Sequence, residues 1–413
     1  MNCGMMRTWM RSVSKVRQLH KIASVQLAGE KKTAYLELQF SLDSIKLPLV
    51  WLRDHCQSDA CYNWKTNQRK SKVLDLFEKA QVENSDAVQL DVDNQIIKIE
   101  WKDGHRSEFK TQDLIRWAIQ PTDSPPVTLW NNSTLRKVPT VSLNNFDFSK
   151  FCLLFAKHGV VCVEGVEKSV EATKTLCQEI APIHDTFFGD FWVFGTDETV
   201  KEEREDTAYG TEEIGPHTDG TYFNQTPGIQ VFQCLKPADK GGETLLVDGF
   251  AVAELFKQVF PAYFHILATT PIEHHYLEGV NRDGTFTPST KDVTQLRSRA
   301  MYHPVIRVHQ GRIIQIRFNP YDRAPLPIPP DHDVTTVVGF YEAYETFSKF
   351  VHKPEHAIKV NLQPGTVIFV DNYRVLHART AFQGSRKMCG CYLSRDNFLA
   401  KARTVLPEAF KHI

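Results

Sequence analysis

The 413-residue sequence predicts a mainly β protein with flanking helices, a small β-rich N-terminal domain followed by a larger closed double sheet of jelly-roll type. Three observations carry this reading. Before residue 120, short runs such as Tyr35-Leu-Glu-Leu-Gln-Phe40 alternate apolar and polar side chains with the period of a strand. Further on, strand-like runs such as Gly228-Ile-Gln-Val-Phe-Gln-Cys-Leu235 and Gly365-Thr-Val-Ile-Phe-Val370 are set off by glycine-bearing turns. Two histidines with metal-competent neighbours, His217 and His377, lie beside such runs but far apart in sequence. A closed double sheet can bring an early and a late strand to one site.

Taken in order, residues 1–29 contain Arg7, Arg11, Lys15, Arg17 and Lys21 and no acid. An Arg-rich, Ser-containing, acid-free start reads as a mitochondrial presequence, implying delivery to the matrix; the alternative is a basic tail without structure. Residues 30–120 form the small domain, with strands at Tyr35–Phe40 and Ile96–Trp101 and a helix beginning near Thr111, where Thr or Asp serves as cap. Gln120-Pro-Thr-Asp-Ser-Pro-Pro126 is rich in turn formers and marks the boundary of a second domain, 127–413. There, Asn145–His158 is an amphipathic helix stopped by Gly159, Val160–Val163 a buried strand, and Ser169–Ala181 a second helix. In Gly241-Gly-Glu-Thr-Leu-Leu-Val-Asp-Gly249 the glycines read as hairpin turns on either side of a strand. Phe347–Ile358 fits neither period cleanly. There is no internal repeat and no low-complexity segment.

Composition excludes several functions. Lys plus Arg and Asp plus Glu are 49 each, so no overall field draws the chain to nucleic acid. No apolar run reaches the length of a membrane span. Nine cysteines without regular spacing point to reduced thiols inside a cell.

The chemistry concentrates at Gly215-Pro-His-Thr-Asp-Gly-Thr-Tyr-Phe223. In a strand, His217 and Asp219 would share one face. A His-x-acid pair is expected about twice by chance at this composition, but His217 is the only histidine here with an acid two residues on. With His377 of Asp371-Asn-Tyr-Arg-Val-Leu-His377 the set becomes two imidazoles and one carboxylate. That set leaves three metal positions open, as in non-haem Fe(II) oxygenases, although the same residues could hold zinc or manganese. Arg386 follows nine residues later, and its guanidinium fork can meet a carboxylate with two donors.

These segments, with Leu246-Val-Asp-Gly249, Cys389-Gly-Cys-Tyr-Leu-Ser-Arg-Asp396 and Trp51-Leu-Arg-Asp-His-Cys56, resemble the carnitine-biosynthesis hydroxylases over nearly the whole chain after residue 30. The resemblance is nearest to the branch that acts on trimethyllysine, through Asp206-Thr-Ala-Tyr209 and Cys389-Gly-Cys-Tyr-Leu393. It implies a double-stranded β-helix that uses Fe(II), 2-oxoglutarate and dioxygen, with ascorbate as reductant, to hydroxylate N6,N6,N6-trimethyllysine at C3. γ-Butyrobetaine is the neighbouring substrate, and a non-catalytic cupin-like binding protein is the alternative of a different class. By the same resemblance His217, Asp219 and His377 bind the metal, and Arg386 and Thr244 bind 2-oxoglutarate. Phe188, Trp192, Tyr209 and Tyr392 hold the trimethylammonium, which donates no hydrogen bond and is held by aromatic faces. Phe188 stands where the family usually has Tyr. Asp206 replaces a neutral Asn of the butyrobetaine enzymes and would pair with an α-ammonium, with Asn319 facing the carboxylate. Cys56, Cys61 and His105 match a structural zinc site of the butyrobetaine enzymes, except that Ser58 stands where those have a further Cys. Oligomeric state is left open, a homodimer included.

Overall fold

The computed structural model describes residues 21–41, 43–118, 127–200, 207–277, 297–328, 330, 333–407 and 410. Most of the predicted presequence, the boundary segment 120–126 and Asp206 lie outside the described residues. The chain divides into two compact units, Met1–Ser124 and Pro125–Ile413.

The first unit pairs two antiparallel meanders. One is β1 (Ser24–Ala28), β2 (Tyr35–Gln39) and β3 (Ser44–Pro48), followed by helix α1 (Leu49–Asp54). The other is β4 (Val88–Asp91), β5 (Ile96–Glu100) and β6 (Arg106–Lys110), running into α2 (Thr111–Ala118). Alternation does what the sequence says. Leu36 and Leu38 of β2, and Ile97 and Ile99 of β5, turn into one core with Leu52, Trp101, Cys56 and Cys61. The Trp101 indole N–H, which burial would otherwise orphan, donates to Ser107 Oγ at 2.8 Å.

The second unit is a two-sheet sandwich. Its strands are β7 (Thr140–Ser142), β8 (Val160–Glu164), β9 (Trp192–Gly195), β10 (Ile214–His217), β11 (Ile229–Lys236) and β12 (Thr244–Asp248). The hairpins β13 (Ile272–Leu277) with β14 (Arg297–His303), and β15 (Ile306–His309) with β16 (Arg312–Ile316), come next. Then follow β17 (Ala357–Val360), β18 (Thr366–Asp371), β19 (Val375–Arg379) and β20 (Lys387–Leu393). The larger sheet has the order β9-β20-β11-β18-β8-β7 and the smaller β10-β19-β12-β17.

Strands β8 and β18 are apolar on both faces because both are covered. Val160, Cys162, Ile368 and Val370 point inward to a core shared with Leu246, Ile358 and Val375 of the smaller sheet. The alternate residues Val161, Val163, Val367 and Phe369 point outward beneath helices α3 (Phe148–His158), α4 (Val170–Ile180) and α8 (Arg395–Ala402). Helix α3 starts at Asp147, whose side chain accepts from Lys150 N, and stops at Gly159, where φ is 72°. Phe151 sits at its centre among Phe369 and Phe398, so Phe151→Ala would cost about 3–5 kcal/mol. The smaller sheet is backed by α5 (Gly249–Val259), α6 (Pro261–Thr269) and α7 (Val334–Val351), against Val247 and Leu376.

Two expectations change. The glycine turns around Thr244–Asp248 do not make hairpins: β11 and β12 lie in different sheets, and Gly249 opens α5 under an Asp248 cap. Phe347–Ile358 fits no single period because it contains the end of α7, a one-turn 3₁₀ segment and the start of β17. Among the described residues, no helix is long and apolar enough to cross a membrane.

Candidate active site

Strands β10 and β19 are antiparallel neighbours, and His217 is paired in register with His377. That pairing converts two distant sequence segments into one site, with the imidazole centroids 4.4 Å apart. Asp219 does not continue the strand. β10 ends at His217, and Asp219 occupies the turn that follows, so its approach to the histidines comes from the turn and not from strand alternation. Asn372 fixes that turn: Asp219 N–H donates to Asn372 Oδ1 at 2.8 Å, and Asn372 Nδ2 donates to Asp219 O at 3.0 Å and Pro227 O at 2.9 Å. Gly220, at φ 62°, completes it, and a Cβ there would strike Pro227.

The three side chains converge. Asp219 Oδ1 is 3.3 Å from His217 Nε2 and 3.4 Å from His377 Nε2. The Gly215 carbonyl, 2.8 Å from His217 Nδ1, can only accept, so Nδ1 carries the proton and Nε2 is left with its lone pair for a metal. His377 Nδ1 is buried without a hydrogen-bond partner. Burial works against charge at all three residues. Even so, the two imidazoles hold the Asp219 carboxyl well below the usual carboxylate range, and Asp219 lifts His217 above its ordinary value. At His377 burial prevails, and its pKa is lowered. Three donors of this kind, all within 4.8 Å of one another, fit a divalent metal with open positions.

These ligands face a cavity of about 160 Å³. Arg386, immediately before β20, lines it at 6 % exposure. Its side chain stacks over Phe382 and has no hydrogen bond or ion pair among the described residues. Burial lowers its pKa, yet a guanidinium stays charged. A buried cation without a counter-ion is costly, and an anionic ligand would relieve the cost. Gly242 leaves the room, since a Cβ there would lie 3.4 Å from Arg386 Nε. Thr244, the first residue of β12, lines the same cavity.

Phe188, Trp192, Tyr209, Asn319 and Tyr392 also line it. The Trp192 and Tyr392 rings lie 4.7 Å apart, Tyr209 meets Phe194 at 6.4 Å, and Phe188 meets Tyr276 at 5.2 Å. Asn319 is partly engaged in its own turn, donating to Asp322 Oδ2 at 2.6 Å and accepting from Tyr321 N–H at 2.9 Å. Asp206 lies outside the described residues. The other cluster, Cys56, Cys61 and His105, sits in the N-terminal unit.

Several wall residues went unread in the sequence: Tyr222, Gln230, Tyr321 and Asp322. Tyr222 stands inside the His217 segment and Tyr321-Asp322 beside Asn319, so proximity to a motif was their only signal. Gln230 pairs in register with Tyr392 and has a buried carboxamide oxygen without a partner.

Two further motif residues turn out to brace the site. Arg374 and Asp248 form a fully buried two-pronged pair, Nε–Oδ1 3.0 Å and Nη2–Oδ2 2.7 Å. Asp248 also caps α5 and accepts from Trp130 N–H. The pair locks β19 to β12, holding His377 in place. Asp371 is tied to Arg395 at 2.6 Å.

A sandwich with two imidazoles and a carboxylate at one end, beside a buried cation awaiting an anion, is a non-haem 2-oxoglutarate-dependent dioxygenase. The chain belongs to the taurine catabolism dioxygenase TauD, TfdA family, which it matches over residues 126–392. Residues 28–114 match the gamma-butyrobetaine hydroxylase-like N-terminal family. The chain is 36% identical to the mitochondrial trimethyllysine dioxygenase of Gallus gallus, across 92% of this chain and 88% of that one. It is 35% identical to the Homo sapiens protein of the same name, across 93% and 89%. The gamma-butyrobetaine dioxygenase of Pongo abelii is more distant, at 26% across 86% and 90%.

Proposed function

We propose that this dioxygenase hydroxylates N6,N6,N6-trimethyllysine at C3, with His217, Asp219 and His377 holding Fe(II). The observation that carries the reading is the shared cavity: the three metal donors, Arg386, which is unpaired among the described residues, and an aromatic wall all open into it. Iron with 2-oxoglutarate, when bound, supplies the oxidant that removes hydrogen from an unactivated carbon, with release of succinate and carbon dioxide. The chain's own residues bind and orient. Arg386 takes the distal carboxylate of 2-oxoglutarate through its fork, with Thr244 as hydroxyl partner. Trp192, Tyr392, Tyr209 and Phe188 offer ring faces to the trimethylammonium. Asn319 has an amide hydrogen left for the substrate carboxylate, and Asp206 pairs with the α-ammonium. Ascorbate keeps the iron ferrous in this reading.

The vertebrate relatives carry "mitochondrial" in their names. We extend that compartment to this chain, with residues 1–29 as presequence, 30–120 and 127–413 as domains and the matrix as destination. A reporter fused to residues 1–30 should enter mitochondria and stay cytosolic once the five basic residues become Gln.

The test is direct. Purified protein with Fe(II), ascorbate and 2-oxoglutarate should form succinate with trimethyllysine and add one oxygen to it. A preference for γ-butyrobetaine would select the neighbouring activity. Asp206→Asn should depress turnover of trimethyllysine and raise that of γ-butyrobetaine, because one attraction and one repulsion vanish together. Unchanged turnover of both would remove Asp206 from the site.

A further inference from the structure

We infer that Tyr392 is a positioning residue that links the cation wall of the cavity to the metal's carboxylate ligand. The inference rests on the functional reading above, and it begins from a division of labour at Asp219. Oδ1 faces both imidazoles, at 3.3 and 3.4 Å, whereas Oδ2 accepts a hydrogen bond from Tyr392 Oη at 3.0 Å. The backbone of Asp219 is already clamped by Asn372. What remains free is rotation of the carboxylate, and among the described residues Tyr392 is the one hydroxyl that restrains it.

The restraint has a chemical consequence. A carboxylate can bind a metal through one oxygen or two. With two imidazoles and one oxygen from Asp219, three positions stay open, the number that 2-oxoglutarate and dioxygen need. If Oδ2 swung in as well, one of those positions would be filled. The Tyr392 hydroxyl occupies Oδ2 and so holds the ligand to one oxygen.

The same ring is part of the aromatic wall, 4.7 Å from Trp192 and nearly buried. A quaternary ammonium against that face draws electron density from the phenol and makes its O–H a better donor to Asp219. Cation binding and metal binding therefore share one residue, and linkage requires each to strengthen the other by the same factor. β20 supplies both functions at one position. Tyr392 belongs to it, paired in register with Gln230 of the adjacent strand β11, so the sheet fixes the backbone that carries both ring and hydroxyl.

The experiment titrates Co(II) into the full-length metal-free protein under anaerobic conditions with 2-oxoglutarate present, reading the visible Co(II) absorption and the heat. In wild type, trimethyllysine should tighten Co(II) binding. Tyr392→Phe keeps the ring and loses the hydroxyl. It should weaken Co(II) about 10–100-fold, as loss of a ligand's outer partner does, and erase the tightening. The affinity for trimethyllysine, measured without metal, should stay within about threefold, because the ring remains. 4-Aminophenylalanine at position 392 restores an N–H donor and should recover the metal affinity, which separates a lost hydrogen bond from a damaged fold. Wild-type Co(II) affinity in Tyr392→Phe, or a tightening that survives it, would overturn the inference. His217→Ala distinguishes the two levels: if that variant still binds Co(II) normally, the metal triad itself is wrong. If it does not, and Tyr392→Phe is neutral, only the link is wrong.

Discussion

Among the described residues the protein carries two clusters of metal-capable side chains, and they are built on opposite plans. In the C-terminal unit, His217, Asp219 and His377 come from a paired strand edge and a turn, and they look into a cavity that also holds the Arg386 cation, unpaired among the described residues. In the N-terminal unit, Cys56, Cys61 and His105 are packed against a core, with Cys56 Sγ 3.3 Å and Cys61 Sγ 3.5 Å from His105 Nε2. Ser107 Oγ donates to Cys56 Sγ at 3.0 Å, and Asp103 steadies the loop by accepting from His105 N–H at 3.2 Å. Hard donors with open positions suit a metal that must exchange ligands, whereas soft donors closed in by packing suit a structural zinc. The first cluster has the three donors that such a metal needs. The second is one ligand short, because its fourth corner is the Ser58 hydroxyl, 3.4 Å from Cys56 Sγ and 3.5 Å from His105 Nε2.

The largest expected effect follows from breaking the first cluster. His217→Ala or Asp219→Ala should reduce succinate formation to background and remove the tightly bound iron, measured by metal analysis after gel filtration. Circular dichroism should change little, since both residues serve the cavity and β10 is held by its pairing with β19. Full turnover in either variant would end the comparison, leaving two incidental clusters.

Arg386→Ala comes next. It should raise the apparent KM for 2-oxoglutarate about 10–100-fold, corresponding to one charge-assisted contact of about 1.5–3 kcal/mol, and leave the amine KM nearly unchanged. Arg386→Lys should recover only part of the loss, because an ammonium cannot match the fork. Equal effects on both substrates would mean that Arg386 supports the fold and not the cosubstrate.

The sequence disclosed these clusters unequally. His217 was legible because it alone among the histidines has an acid two residues on, and His377 through the resemblance of its segment and the strand-like run before it. What no local pattern contains is pairing: that β10 lies against β19, or that β11 and β12 belong to different sheets, depends on contacts between distant segments. Asp219 was found for a partly mistaken reason, since a turn braced by Asn372 positions it and not strand alternation. Tyr392 was visible as a ring but not as a donor, because a hydroxyl's partner depends on where the turn after β10 ends. Arg374 and Asp248 stood in segments already singled out, yet only the structure reveals that they hold each other.

The smallest effect on activity tests the second cluster. In Ser58→Cys, a sulfur replaces an oxygen that already sits about equally far from Cys56 and His105, so the backbone has little to rearrange. A serine hydroxyl stays protonated and is a poor zinc ligand, whereas a thiol gives up its proton to the metal. Burial pushes the Cys61 thiol above its ordinary value, which opposes metal capture until a fourth donor adds enough affinity to offset it. Added zinc should therefore raise the thermal midpoint of the Ser58→Cys protein by more than that of wild type. At a free concentration of 100 times Kd, the variant gains about 2.7 kcal/mol. Turnover of trimethyllysine should stay as it was, because Ser58 is remote from the metal triad in sequence and belongs to the other unit. If wild type already shows a zinc-dependent rise as large as the variant's, three donors and a hydroxyl suffice to hold the ion. The two clusters would then both be working metal sites, differing in ligand softness and access but not in completeness.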